Sequence, residues 1–352
     1  MQVANASHRG KFLAVLNAVT EVLAVLVIGG MIAAPILHAI VPANVALSMK
    51  AYAADPLKYG ALNSYTMAAA ETLDQLVTFA LYLAPAFLLG RWRYRAPTRA
   101  YGLTLNHYSF FKLISIGVLL YCVACFPSNA IHVVHKYVNF GEGALHWRYT
   151  AELPRGFGYL LFLLAGDLVL PPLLEETLVR GYMLRRVRDA SGPATAILLT
   201  ALLFSLAHTQ YLRPDAYAIG ISLSQMFFSV ALGYVTYRTG SLVPAIVAHI
   251  LSNSPAQSDQ WLPQEVFFAA AVTTIVVYRR VILAQLSEFL ALFRQPEFSL
   301  PQLAAGCVVM AGALLFDALG ADYASAIVGV SCLCVALITA FVLRRQKAVQ
   351  AS

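Results

Sequence analysis

The amino-acid sequence predicts an all-α protein, a polytopic transmembrane helical bundle of about eight to ten membrane spans. Three observations predict it. Of 352 residues, 60% are hydrophobic and only 12% charged, where a water-soluble domain carries about 25% charged residues. Mean hydropathy is +0.70, and the apolar residues gather into runs that approach the roughly 20 residues needed to cross a bilayer. The basic residues, finally, alternate from one side of those runs to the other.

In chain order the runs are Val22–Ile40, Leu76–Leu89, Leu113–Phe126, Tyr159–Leu184, Ala194–Tyr211, Ala218–Tyr237 and Leu242–Ser254, then Val266–Tyr278, Leu303–Leu319 and Ala326–Leu343. The first is long and follows Arg9 and Lys11, which suits an uncleaved anchor rather than a cleaved signal. The second closes on Arg91-Trp92-Arg93-Tyr94-Arg95, a charged and aromatic interfacial anchor. Between the third and fourth, residues 128–155 form one of the two longest outside segments, with His132, His135, His146 and Trp147 read as an interfacial cap. The fourth contains Pro171-Pro172, which removes two backbone donors and should loosen that helix. After the eighth, Arg279 and Arg280 precede residues 281–294, expected to form an amphipathic helix lying on the membrane surface. The whole chain, 1–352, reads as one integral membrane domain without internal repeats.

With the N-terminus inside, the inner segments hold Arg9, Lys11, Arg91, Arg93, Arg95, Arg99, Lys112, Arg180, Arg185, Arg186, Arg188, Arg238, Arg279, Arg280, Arg294, Arg344, Arg345 and Lys347. These are 18 of the 24 basic residues. Only Lys50, Lys58, Lys136, Arg148, Arg155 and Arg213 fall outside. The positive-inside rule then places both termini in the cytoplasm. The same bias accounts for the net charge of +7 through anionic lipid headgroups, so nucleic acid is not expected as a partner. Cys122, Cys125, Cys307, Cys332 and Cys334 all fall within spans; the CxxC of the first two lacks a second ligand pair and reads as buried apolar packing.

Ionisable residues inside spans cost roughly 2.5–3.5 kcal/mol on insertion scales and are functional candidates by default. The fourth span carries Asp167 and then Glu175-Glu176-Thr177-Leu178-Val179-Arg180. The fifth ends with Phe204 and His208, and the seventh holds His249 and Asn253. Neighbours on a helix point about 100° apart, so the two glutamates cannot share a task. Glu176 and Arg180 stand at i and i+4 in the favourable order for an ion pair, which makes Glu176 the structural acid. Glu175 has only Leu178 and Val179 on its own face, so desolvation should prepare it as a general base. At 1.5 Å per residue, Glu175 lies roughly 15 Å from the cytoplasmic end of its helix, with His208 roughly 20 Å and His249 roughly 12 Å from the starts of theirs. One acid and two imidazoles are therefore expected near the bilayer midplane.

Glu175-Glu176 with Arg180, Phe204 with His208, and His249 with Asn253 resemble the EExxxR, FxxxH and HxxxN motifs of the CPBP family, the CAAX-protease and bacteriocin-processing intramembrane endopeptidases. The run Thr239-Gly240-Ser241-Leu242-Val243-Pro244-Ala245-Ile246 is similar to that family's lead-in. The resemblance covers residues 157–254. It implies peptide-bond hydrolysis in a membrane-associated or lipidated substrate. Glu175 would activate water with His208 as its partner, and His249 and Asn253 would stabilise the oxyanion. Glu176, Arg180 and Phe204 would support these four. No cofactor is expected.

Two other readings of the same residues stand beside this one. Glu175, His208 and His249 could ligate zinc, since three protein ligands and a water describe a catalytic site, although no HExxH accompanies them. A transporter or scaffold could keep the polar cluster for ion handling or helix packing. The partners expected are the lipid bilayer and a membrane-associated peptide or protein, and the location expected is a bacterial inner (cell) membrane.

Overall fold

The computed structural model describes residues 8–41, 65–138, 140, 168–208, 215–254, 263–319 and 324–351. Every regular element among them is helical. Helix α1 spans His8–Ile40, α2 Tyr65–Arg93, the short α3 Pro97–Ala100, α4 Phe110–Ala124 and α5 Phe126–Val138. Next come α6, Leu170–Glu176, a π-helical segment, Thr177–Met183, and α7, Leu184–Ser191. Helices α8 (Pro193–Ala207), α9 (Ala216–Thr239), α10 (Val243–Ser252), α11 (Gln264–Ala291), α12 (Leu300–Leu319) and α13 (Ala324–Ala351) complete the bundle.

Among the described residues six helices are long and apolar enough to cross a membrane, and Pro193–Ala207, Val243–Ser252 and Leu300–Ala313 are further, shorter apolar helices. The expected polytopic all-α bundle is thus observed, with several boundaries moved. The third span does not stop at Phe126: Phe110–Val138 forms one apolar helical stretch, so His132 and His135 lie on helix α5. His135 is buried, and its Nδ1 lies 2.8 Å from the Phe140 carbonyl. His146 and Trp147 lie outside the described residues, as does Asp167. Residues 281–291 continue α11 without a break from Gln264. At 1.5 Å per residue that 28-residue helix is about 42 Å long, more than the ~30 Å hydrocarbon core.

Two apolar clusters flank the acid-bearing helix. The larger unites α1, α2, the π-helical segment, α7, α8, α12 and α13 around Val19, Leu23, Tyr182, Met183, Ile197 and Leu199. The smaller joins α4, α9 and α10 through Leu120, Phe228, Leu232, Ala245 and Ala248. Gly117 lets α4 meet α10 directly, because a Cβ there would lie 2.7 Å from Val247 Cβ and 2.8 Å from the Pro244 carbonyl. Helices α7 and α8 turn on Gly192 alone, whose φ of +84° favours glycine. Leu88, Phe111, Leu223, Val277, Leu337 and Phe341 stay exposed, an apolar exterior suited to lipid.

Basic residues near several helix ends join neighbouring helices. Arg93 and Arg186 share Glu21, Arg344 lies over the Trp92 ring and Arg188 over Tyr237. Arg238 pairs with Glu288. Outside the spans, Tyr94 donates to Asp189 at 2.6 Å; burial, then that carboxylate, push its hydroxyl pKa up to about 12.

Candidate active site

The site begins with interrupted backbone. Pro171 lies at the start of α6, where a missing N–H does no harm, and the helix passes directly after Glu176 into i→i+5 bonding, seen in the Leu184 N–H to Val179 carbonyl bond. Helix α8 stops at Ala207 and α10 at Ser252, short of the expected Tyr211 and Ser254. With 15 and 10 residues they are about 22 and 15 Å long, less than the ~30 Å hydrocarbon core, and their C-termini lie at the site. Carbonyls freed there need partners. The motif residues supply them: His208 Nδ1 donates to the Phe204 carbonyl at 2.7 Å, and the Ser252 hydroxyl and Asn253 N–H donate to the His249 carbonyl at 2.8 and 3.0 Å.

Glu176 is wholly buried. Its Oε1 accepts from Arg180 Nη1 at 2.8 Å and from His249 Nδ1 at 2.8 Å. The expected pair with Arg180 is present, but the acid also holds a motif histidine that the sequence reading assigned elsewhere. Arg180 is fixed on its other side by the Ser229 hydroxyl at 2.7 Å, and its guanidinium lies 4.4 Å above the Phe204 ring. That ring also meets both imidazoles, with centroids 4.5 Å from His208 and 5.8 Å from His249. Phe204 thus spaces the two histidines while facing the cation.

Glu175 points elsewhere, as adjacent helical residues must. Its side chain is 24% exposed, and its Oε2 lies 3.8 Å from His249 Nε2. That is too long for a hydrogen bond, and the oxygen has no hydrogen-bond partner among the described residues. A carboxylate only accepts, so the His249 proton sits on Nδ1, toward Glu176, and Nε2 faces Glu175. The structure therefore brings Glu175, Glu176, Arg180, Phe204, His208 and His249 together. Asn253, half-buried, caps α10 one turn beyond His249. Among the described residues no group of three His, Cys, Asp or Glu is placed to hold a metal ion.

Two contributors escaped the sequence reading. Ser229 is a small hydroxyl in an apolar span, of a kind common in membrane helices, and carries no distinguishing signal. Glu21 was placed one residue before the first span. Helix α1 in fact starts at His8, which puts Glu21 well inside it.

A family model described as Rce1-like, type II CAAX prenyl endopeptidase, matches residues 157–254. No curated protein and no solved structure matches the chain. The matched segment holds all three motifs and, where described, the whole cluster built above, and in this segment the chain is similar to the type II CAAX prenyl endopeptidases.

Proposed function

We propose that the chain is an intramembrane endopeptidase that hydrolyses a peptide bond in a membrane-associated or lipidated substrate. The observation that carries this reading is Glu175 Oε2, a buried carboxylate oxygen without a hydrogen-bond partner among the described residues, facing His249 Nε2 across 3.8 Å. Glu175 takes a proton from water as it attacks the scissile carbonyl, then returns it to the leaving amine. His208, its Nδ1 held by the Phe204 carbonyl, offers Nε2 to the same water. The Asn253 amide and His249 stabilise the oxyanion. Glu176 at 2.8 Å and Glu175 at 3.8 Å are the two carboxylates beside the His249 ring. Both termini and Arg186 face the cytoplasm in this reading, which cysteine labelling from either side would check; an external Arg186 would overturn the orientation.

The test uses purified protein in detergent and a fluorogenic peptide with a prenylated C-terminus. Hydrolysis is expected. Glu175→Gln should slow it by about 10²–10⁴-fold, the usual contribution of a general base. Asn253→Ala should slow it by about 10²–10³-fold, as loss of one oxyanion donor does. Turnover is expected to survive strong chelators. Loss in chelator restored by zinc would favour a metal site on the same residues, and no hydrolysis, or hydrolysis indifferent to Glu175, would favour a scaffold.

A further inference from the structure

Outside the matched segment, a second polar cluster reaches the helix that carries the acids. Glu21 on α1 accepts on both oxygens. Oε1 takes the Tyr182 hydroxyl at 2.8 Å and one Arg93 nitrogen. Oε2 takes Arg186 Nε at 3.0 Å and the other Arg93 nitrogen. One turn earlier, Asn17 accepts from Arg186 Nη2 and donates to the Ala336 carbonyl at 2.6 Å and Thr339 Oγ1 at 3.0 Å. A continuous polar chain thus runs from α13 through Asn17, Arg186 and Glu21 to Tyr182 and α2.

Tyr182 lies within the π-helical segment and Arg186 a turn beyond it, while Glu175 and Glu176 lie just before it. An i→i+5 turn holds one residue more than an α-helical turn and is seldom sustained unless tertiary contacts hold it. Relaxation to α-helical bonding would turn the acids relative to Tyr182 by about 100°, the rotation of one residue. Glu176 would then leave His249, and Glu175 would no longer face Nε2.

We propose that Glu21 is a positioning residue for the acids. By fixing Tyr182 and Arg186 it holds the π-helical register in which Glu175 and Glu176 address opposite nitrogens of His249, and α13 braces it through Asn17. The proposal rests on the peptidase reading for its kinetic consequence but not for its structural one.

The experiment compares wild type, Glu21→Gln and Tyr182→Phe as full-length chains in detergent. Tyr182→Phe removes one hydroxyl and keeps the buried ring, so it remains informative if Glu21→Gln, which strands two arginines, fails to fold. Backbone hydrogen exchange of residues 177–186 is measured together with kcat and KM on the prenylated peptide, rates being normalised to monodisperse protein. Both variants should exchange faster across the π-helical segment, by tenfold or more for Glu21→Gln and severalfold for Tyr182→Phe. Each should lose kcat by a similar factor with KM within twofold. A lower melting temperature with unchanged exchange over 177–186 and unchanged kcat would overturn the proposal and leave Glu21 a packing residue. If wild type and Glu175→Gln hydrolyse nothing, the peptidase reading fails, and the exchange data alone decide the brace.

Discussion

Glu21 and Glu175 are both carboxylates on predominantly apolar helices, and their surroundings are opposite. Glu21 receives four hydrogen bonds from Arg93, Tyr182 and Arg186, with both oxygens filled. Glu175 has one buried oxygen without a hydrogen-bond partner among the described residues. Glu176 stands between these cases, with one oxygen doubly bonded and the other unfilled. An unpaired buried polar group is costly, so a fold that fills every acceptor at Glu21 and leaves one empty at Glu175 is not merely solving a packing problem. The filled acid holds helices together; the unfilled one has capacity left for chemistry.

The contrast is sharpest in stability. Glu176→Gln strands Arg180 and loosens His249, and breaking a buried pair this way costs about 3–5 kcal/mol. The double change Glu176→Gln with Arg180→Gln should recover much of that stability, because no charge is left alone. It should not recover turnover, because His249 has lost its anchor; recovered turnover would separate Glu176 from the site. Ser229→Ala leaves one Arg180 nitrogen short of its best acceptor and should cost about 1–3 kcal/mol, with a smaller loss of rate. Glu175→Gln removes no hydrogen bond at Oε2, so its melting temperature should lie within a few degrees of wild type while turnover collapses. A melting temperature that falls as far as that of Glu176→Gln would erase the distinction between the adjacent acids. Arg238→Ala removes an ion pair with Glu288 whose partners are 47% and 45% exposed. Such pairs contribute about 0–1 kcal/mol, so little should change in thermal melts; a large drop would mean that α11 is held by this pair.

Composition and charge alternation made the bundle legible, because hydrocarbon leaves helix as the economical way to satisfy a backbone. Spacing alone separated Glu175 from Glu176 and paired the latter with Arg180. Other features resisted for physical reasons. The His249–Glu176 bond joins residues 73 apart in sequence and follows from how α10 packs against α6, which no local spacing encodes. The ends of α8 and α10 were placed too late because an apolar run does not show where helical bonding stops; His208 and Asn253 cap helices that the hydropathy pattern would have continued. The π-helical segment carries ordinary residues, Thr177 to Met183, and its register is imposed by contacts with α1 and α9 that only the folded chain supplies.

The seam between α1 and α13 has a consequence for the order in which the molecule can be completed. Later residues of α1 meet earlier ones of α13, as Gly329 against Val27 and Ile28 shows, so α1 is joined by a helix made long after it. About 280 residues separate the end of α1 from the start of α13. At about 5–20 residues per second, translation takes some tens of seconds to cover them. Throughout that interval the Asn17 amide lacks the Ala336 and Thr339 acceptors it finally binds. Docking of α13 is therefore a distinct late step in assembly, and a nascent chain halted before α13 would leave the Asn17 amide on α1 without these acceptors.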